Sequence, residues 1–323
     1  MNSSSRRWAR RLASFRALLL FLPIAGANSA HAQIIPPESS IESGATISID
    51  VRLVVLKASV RTKAGTVVSG LRESNFKVEE DGQPQTIRAF QAEDIPVAVG
   101  LVVDNSGSMA KKRSDVAGAA VAFARASNPD DELFIINFNE RIAFGLLGTR
   151  LFSASPEELE AAIQKPVASG KTALYDAITV ALTHLQKAAN NRKALVVVSD
   201  GGDNASRHTL NEVLNEIGQA EVTIYTIGLF DEDDADSNPG VLRRIAKCSG
   251  GESFLPRQTS EAVSICEHIA KDIRTQYTIT YSPTNPKSDG KYRAIKVKAT
   301  DRTGAKLKVR TRTGYFASQD RKP

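Results

Sequence analysis

VAVGLVVDNSGSM, Val97 to Met109, is the stretch that decides the fold. Residues 97–103 are all apolar or glycine, with no period of two, which predicts a strand covered on both faces, as in a parallel sheet. The run stops at a carboxylate and two hydroxyls on alternate residues: Asp104, Ser106 and Ser108. Such oxygen donors suit a hard divalent cation, although one loop cannot complete its shell.

Two more donors follow at the ends of later elements. Thr172, in the phrase SGKTAL, precedes a helical pattern, and Asp200 closes the apolar strand expected over residues 194–199. Ligands beyond the carboxyl ends of parallel strands can converge from separate loops. The alternative is that Ser106, Ser108 and Thr172 are helix N-caps and Asp200 a turn residue. Asn105, Asp203 and Asn204 stand beside these positions, either as supporting groups around the ligands or as plain turn formers.

The Asp-x-Ser-x-Ser run, the separate Thr172 and the phrase Ser199-Asp200-Gly201-Gly202-Asp203-Asn204 resemble the metal-ion-dependent adhesion site of von Willebrand factor type A (VWA) domains. The likeness covers roughly two-thirds of the chain. It implies an α/β fold: a doubly wound, mostly parallel, Rossmann-like sheet. It also implies a divalent cation, magnesium first with manganese or calcium as the other candidates. Ser106, Ser108 and Thr172 would touch it through their hydroxyls, and Asp104 and Asp200 directly or through water. One remaining position would accept an Asp or Glu of a protein partner. The expected role is a protein-binding module, not an enzyme.

Strand and helix patterns alternate between residues 95 and 276, the sign of helices on both faces of a parallel sheet. Strands are expected at 97–103, 133–138, 194–199, 222–228 and 253–255, with an antiparallel edge at 141–147. Helices are expected at 110–126, 156–164, 173–189, 209–219, 241–248 and 260–275. Before this region the period is two: Ile47, Ile49, Val51, Leu53 and Val55 share one strand face, and short strands follow at 58–62, 76–79 and 86–90. After it, Tyr277, Ile279 and Tyr281 alternate, as do Ile295, Val297 and Ala299, and a last strand starts at Leu307. Strands from both chain ends are therefore expected to form a smaller β-sandwich-like module. This gives a signal peptide at 1–32, a linker at 33–46, an N-terminal β module at 47–93, the VWA domain at 94–276, C-terminal β strands at 277–317 and a tail at 318–323. The arrangement resembles bacterial secreted VWFA-related proteins.

The chain has 323 residues and a formal charge of +6, which invites a nucleic-acid reading. Residues 1–32, however, hold Arg6, Arg7, Arg10, Arg11 and Arg16 and no acid, so removing those five charges leaves +1. A nearly neutral remainder lacks the broad field of a nucleic-acid binder. The same segment has a basic start, an apolar run and an Ala-His-Ala ending, which predicts export to the periplasm or medium after cleavage. The apolar run is short and interrupted by Pro23, so no membrane span is expected after cleavage. Oligomeric state leaves no trace in the sequence.

Cys248 and Cys266 are the only cysteines. An oxidising compartment admits a bridge between them, with two buried thiols as the alternative. His184, His208 and His268 lack zinc-site spacing. The acidic run at residues 231–236 resembles a second cation site but does not have the spacing of an EF-hand loop; it reads as a solvated loop, with a rim of the binding face beyond a strand's carboxyl end as the alternative. Basic residues along the last strands, from Lys291 to Arg312, alternate with apolar or small ones; they read as a solvated, edge-protecting face or as a contact for anionic envelope polymer or lipid.

Two rival classes remain. In a haloacid-dehalogenase-type hydrolase Asp104 would be a nucleophile, but the acid expected two residues later is Ser106. A structural envelope module would use the ion only to brace loops.

Overall fold

The computed structural model describes residues 53–317 except residues 93, 165–168 and 231–235. The signal, linker and tail readings, the inward set Ile47, Ile49 and Val51, and residues 231–235 of the acidic run lie outside the described residues.

Four strands come first: β1 (Val54–Arg61), β2 (Phe76–Glu80), β3 (Gln83–Gln85) and β4 (Ile87–Gln91). The α/β region follows, with β5 (Val97–Asp104), α1 (Arg113–Arg125), β6 (Glu132–Phe138), β7 (Ile142–Phe144), α2 (Pro156–Gln164), α3 (Leu174–Leu185), β8 (Arg192–Ser199), α4 (Leu210–Gln219), β9 (Val222–Gly228), α5 (Pro239–Ser249), β10 (Ser253–Phe254) and α6 (Ala262–Arg274). The last strands are β11 (Tyr277–Tyr281), β12 (Tyr292–Thr300), β13 (Lys306–Arg310) and β14 (Gly314–Phe316).

All eight residues of β5 are buried, as a two-sided strand requires. It lies inside a six-stranded sheet of order β10-β9-β8-β5-β6-β7, parallel except for the β6–β7 pair. Val99, Leu101 and Val103 pack on one face with α1, α2 and α6, while Ala98 and Val102 pack on the other with α3, α4 and α5. The parity of β5 thus divides the core in two. Local signals set the helix ends: Thr209 and Glu212 form a capping box before α4, and Asn238 caps α5 ahead of Pro239. The helix expected from residue 110 instead begins with a 3₁₀ stretch, Gly107–Lys112, before α1.

The remaining strands make one antiparallel sheet of order β3-β2-β12-β13-β1-β11-β4, with β14 on β12. Its two ends, β3 and β4, are separated in the chain by Thr86 alone, so the sheet curls on itself. A single rolled sheet therefore encloses the core expected of a sandwich. That core holds Leu56, Phe76, Tyr277 and Tyr281, with the Phe76 and Tyr277 rings 5.1 Å apart.

Two expectations change here. Residues 58–62 do not start a new strand, since β1 runs unbroken through Ala58. Its inward face is Val54, Leu56, Ala58 and Val60, whereas Leu53 is exposed. Pairing decides this phase: Leu56 stands opposite the buried Ile279.

At the junction of the two sheets, Asp272 of α6 is only 1% exposed. Its carboxylate accepts Ser59 Oγ and Arg61 Nη2 (each 2.9 Å), Tyr225 Oη (2.6 Å) and Arg310 Nη2. A carboxylate so deeply placed survives only with such partners.

Candidate metal centre

Asp104 ends β5, and Asp200 immediately follows β8, its parallel neighbour, where Val103 stands opposite Val198. Both carboxylates therefore leave the sheet side by side at its carboxyl edge. Asp104 is 1% exposed and Asp200 2%. Asp104 Oδ1 accepts the Ser106 N–H (2.8 Å), and Oδ2 accepts Ser199 Oγ (2.6 Å). Asp200 Oδ1 accepts the Gly202 N–H (3.0 Å), and Oδ2 accepts Ser108 Oγ (2.5 Å). The Ser106 and Ser108 hydroxyls lie 3.2 Å apart. Four of the five sequence-selected residues thus form one hydrogen-bonded group.

Thr172 is brought in through its backbone. Its N–H donates to Asn204 Oδ1 (2.9 Å), and its carbonyl accepts the Asn204 and Ala205 N–H groups (3.0 Å each). The same loop accepts Gly107 N–H at the Gly170 carbonyl, and Ser169 N–H donates to the Asn105 carbonyl. Three loops are laced together by these bonds, all between main-chain groups except the one to Asn204 Oδ1.

The N-cap alternative finds little support in the geometry. Ser106 occupies the N-cap of the 3₁₀ stretch but makes no side-chain cap bond, and the N-cap of α3 is Ala173. The Ser106 and Ser108 hydroxyls are directed at each other and at Asp200 instead.

Asn105 faces inward: its side chain binds Asn137, Val103 and Arg113. Asp203 accepts Tyr175 N–H and the Ser206 hydroxyl, holding the start of α3. Both shape the loops that carry the candidate ligands, through these hydrogen bonds. Sequence reading missed Ser199, whose hydroxyl donates to Asp104 and accepts Gly201 N–H (3.0 Å). Its one signal was a polar residue ending an apolar strand. Gly201 is required by position: its φ is +80°, and a methyl group there would sit 2.4 Å from the Asn238 carbonyl oxygen.

Burial pushes the Asp104 carboxyl up to about 6; hydrogen bonds from Ser199 and Ser106 oppose this, and the nearby Asp200 charge adds to it. Two adjoining carboxylates with neutral hydroxyls around them make a negative pocket that a divalent cation would relieve. Among the described residues no three His, Cys, Asp or Glu gather into a metal cluster. Two carboxylates and neutral hydroxyls form an all-oxygen donor set, the kind that hard divalent cations take.

The cysteine bridge is not formed. Both thiols are free: Cys248 packs with the core on the α3–α5 face, and Cys266 lies in the core on the α1–α2–α6 face. The sheet stands between them.

Comparison with known proteins adds the family. A sequence model of the von Willebrand factor type A domain matches residues 99–267, a span that contains all five donors. Among solved structures, similarity is found to a von Willebrand factor type A protein from Catenulispora acidiphila (14% identity, 84% of this chain and 74% of that one, TM-score 0.48). It is also found to the vWF domain of a type V pili tip protein from Porphyromonas gingivalis (14% identity, 56% and 96% covered, TM-score 0.46). A third is proximal thread matrix protein 1 of the mussel byssus with its MIDAS motif occupied by zinc (14% identity, 60% and 49% covered, TM-score 0.47). No curated protein matches the chain. With more than half its length matched by the family's sequence pattern, this chain belongs to the von Willebrand factor type A domain family.

Proposed function

We propose that the chain is an exported, cation-dependent protein-binding module, with Asp104, Ser106, Ser108, Thr172 and Asp200 as the ligands of a divalent ion, magnesium first. The observation that carries this reading is the Ser106–Ser108–Asp200 chain of contacts beside Asp104, with hydroxyls unspent on helix caps. When bound, the cation supplies an electrophilic position for a partner's Asp or Glu carboxylate. Ser199 and the Ser106 N–H hold Asp104 in place, and the laced loops keep the hydroxyls at the sheet edge. Neutral hydroxyl ligands leave more of the ion's charge for the partner than carboxylates would.

The VWA domain, 94–276, is read as an insertion in a β module drawn from 47–93 and 277–317. The rolled sheet's core supports this, because among the described residues its buried members come from β1, β2, the Leu71 loop, β11 and β12. No helix of the described residues is long and apolar enough to cross a membrane.

Magnesium and manganese titration of the parent and Asp104→Ala proteins tests the site; undiminished affinity in the variant removes it. Chelation separates binding from bracing. A binding module loses its partner while still folded, whereas a bracing ion changes stability without altering association.

A further inference from the structure

The basic residues of the last strands do not all face solvent. Lys296, Lys298, Lys306 and Lys308 are exposed, but Arg310 and Arg312 turn inward. The reason is a parting of strands. β12 pairs with β13 only at Ala299–Leu307 and Thr300–Lys306; β13 then continues beside β1, while the start of β12 pairs with β14. A cleft of about 520 Å³ opens between them, floored by the end of α5 and the start of β10.

Gly250, just past α5, fixes the cleft wall. Its φ is +81°, and a methyl group there would fall 2.3 Å from the Arg312 nitrogen, so backbone meets backbone. Arg243 and Lys247, four residues apart on α5, stand exposed at the mouth with Lys296. Five cationic side chains and a single carboxylate, Glu252, line the space. Glu252 is already paired with Arg61 and Arg310.

The depth of the cleft carries the second observation. Among the described residues Arg310 Nε, Thr311 Oγ1, Arg312 Nε and Ser253 Oγ are buried without a hydrogen-bond partner, and all four residues line this one cleft. Leaving such groups unmatched is costly. Arg310 at least meets Asp272 and Glu252. Arg312 has no carboxylate within ion-pair distance among the described residues; its Nη2 donates to the Val55 carbonyl (2.9 Å), and its guanidinium lies over the Tyr315 ring. Burial accordingly pulls the Arg312 guanidinium below its usual range.

We propose that this cleft is a second binding site, for a soluble small molecule bearing a phosphate or sulfate group seated against Arg312. A tetrahedral oxyanion presents several acceptor oxygens in different directions, matching donors on separate strands better than a planar carboxylate. The unmatched donors lie below the mouth, where a flat membrane surface does not reach. The site is independent of the metal reading: α5 starts beside the Asp200 loop, where Asn238 N–H donates to the Asp200 carbonyl, and ends at this cleft, about 16 Å away.

The test is thermal unfolding and calorimetry with inorganic phosphate and sulfate, at constant ionic strength set by sodium chloride and with chelator throughout. The expected result is a saturable rise in Tm beyond that in chloride, lost in Arg312→Gln and weakened about tenfold in the mouth variant Lys247→Gln/Lys296→Gln. An identical rise in chloride overturns the proposal. So does unchanged phosphate affinity in a folded Arg312→Gln protein or, should that variant not fold, in the mouth variant.

Discussion

Ser108 and Asp200, 92 residues apart in sequence, are joined by a hydrogen bond of 2.5 Å from hydroxyl to carboxylate across the carboxyl edge of the parallel sheet. Two loops that share no local signal are thereby held as one donor group. Ser108→Ala removes the hydroxyl without altering the strand ends. Magnesium affinity is expected to fall at least about tenfold while the far-UV circular dichroism spectrum stays unchanged. Calorimetric titration with magnesium and manganese checks this, and parental affinity would exclude Ser108 as a ligand.

Asp104 should make both metal binding and stability depend on pH. Its carboxyl titrates near 6 in the fold, against about 3.9 in an unfolded chain. The folded state therefore holds the extra proton between those values, and metal-free stability from this residue is lost as pH rises through the window, by about 3 kcal/mol in all. Asp104→Asn lacks that loss. In chelator, the variant's advantage over the parent should grow from nearly nothing near pH 4 to its full value by pH 7, read by urea denaturation. Magnesium affinity of the parent should weaken below about pH 6, as protons compete for the carboxylate.

The buried Asp272 gathers Ser59, Arg61, Tyr225 and Arg310 at the joint between the sheets. Asp272→Asn leaves two guanidinium groups facing a neutral amide. A loss of about 3–5 kcal/mol is expected from the urea midpoint. A change within 1 kcal/mol would mean that the joint contributes little.

A thiol count on denatured, unreduced protein should find two. In the native protein Cys266, buried and with its thiol pushed up to about 12, should resist alkylation at pH 8, because the thiolate is the reactive form. Cys248 is half-buried and its thiol is also raised by burial, so it should react slowly. Rapid modification of Cys266 would contradict its place in the core.

What the residues alone determined were the features with local physical causes. A strand buried on both faces must be apolar throughout, so 97–103 and 194–199 announced a parallel sheet, and oxygen-bearing residues at their ends marked candidate ligands at its edge. Polar partners and strand phase were decided by tertiary structure. Ser199 looks like any strand residue until β8 lies beside β5; Leu53 and Val55 share a period with Val51, yet pairing with β11 turns Val54 and Leu56 inward. Cys248 and Cys266 are close in sequence but fall on opposite faces of a sheet, and Arg310 and Arg312 continue an alternating basic pattern until the parting of β12 and β13 encloses them. Such outcomes depend on segments far apart in the chain meeting, as β5 does β8 and β1 does β13, and no short-range pattern records the burial that these contacts impose.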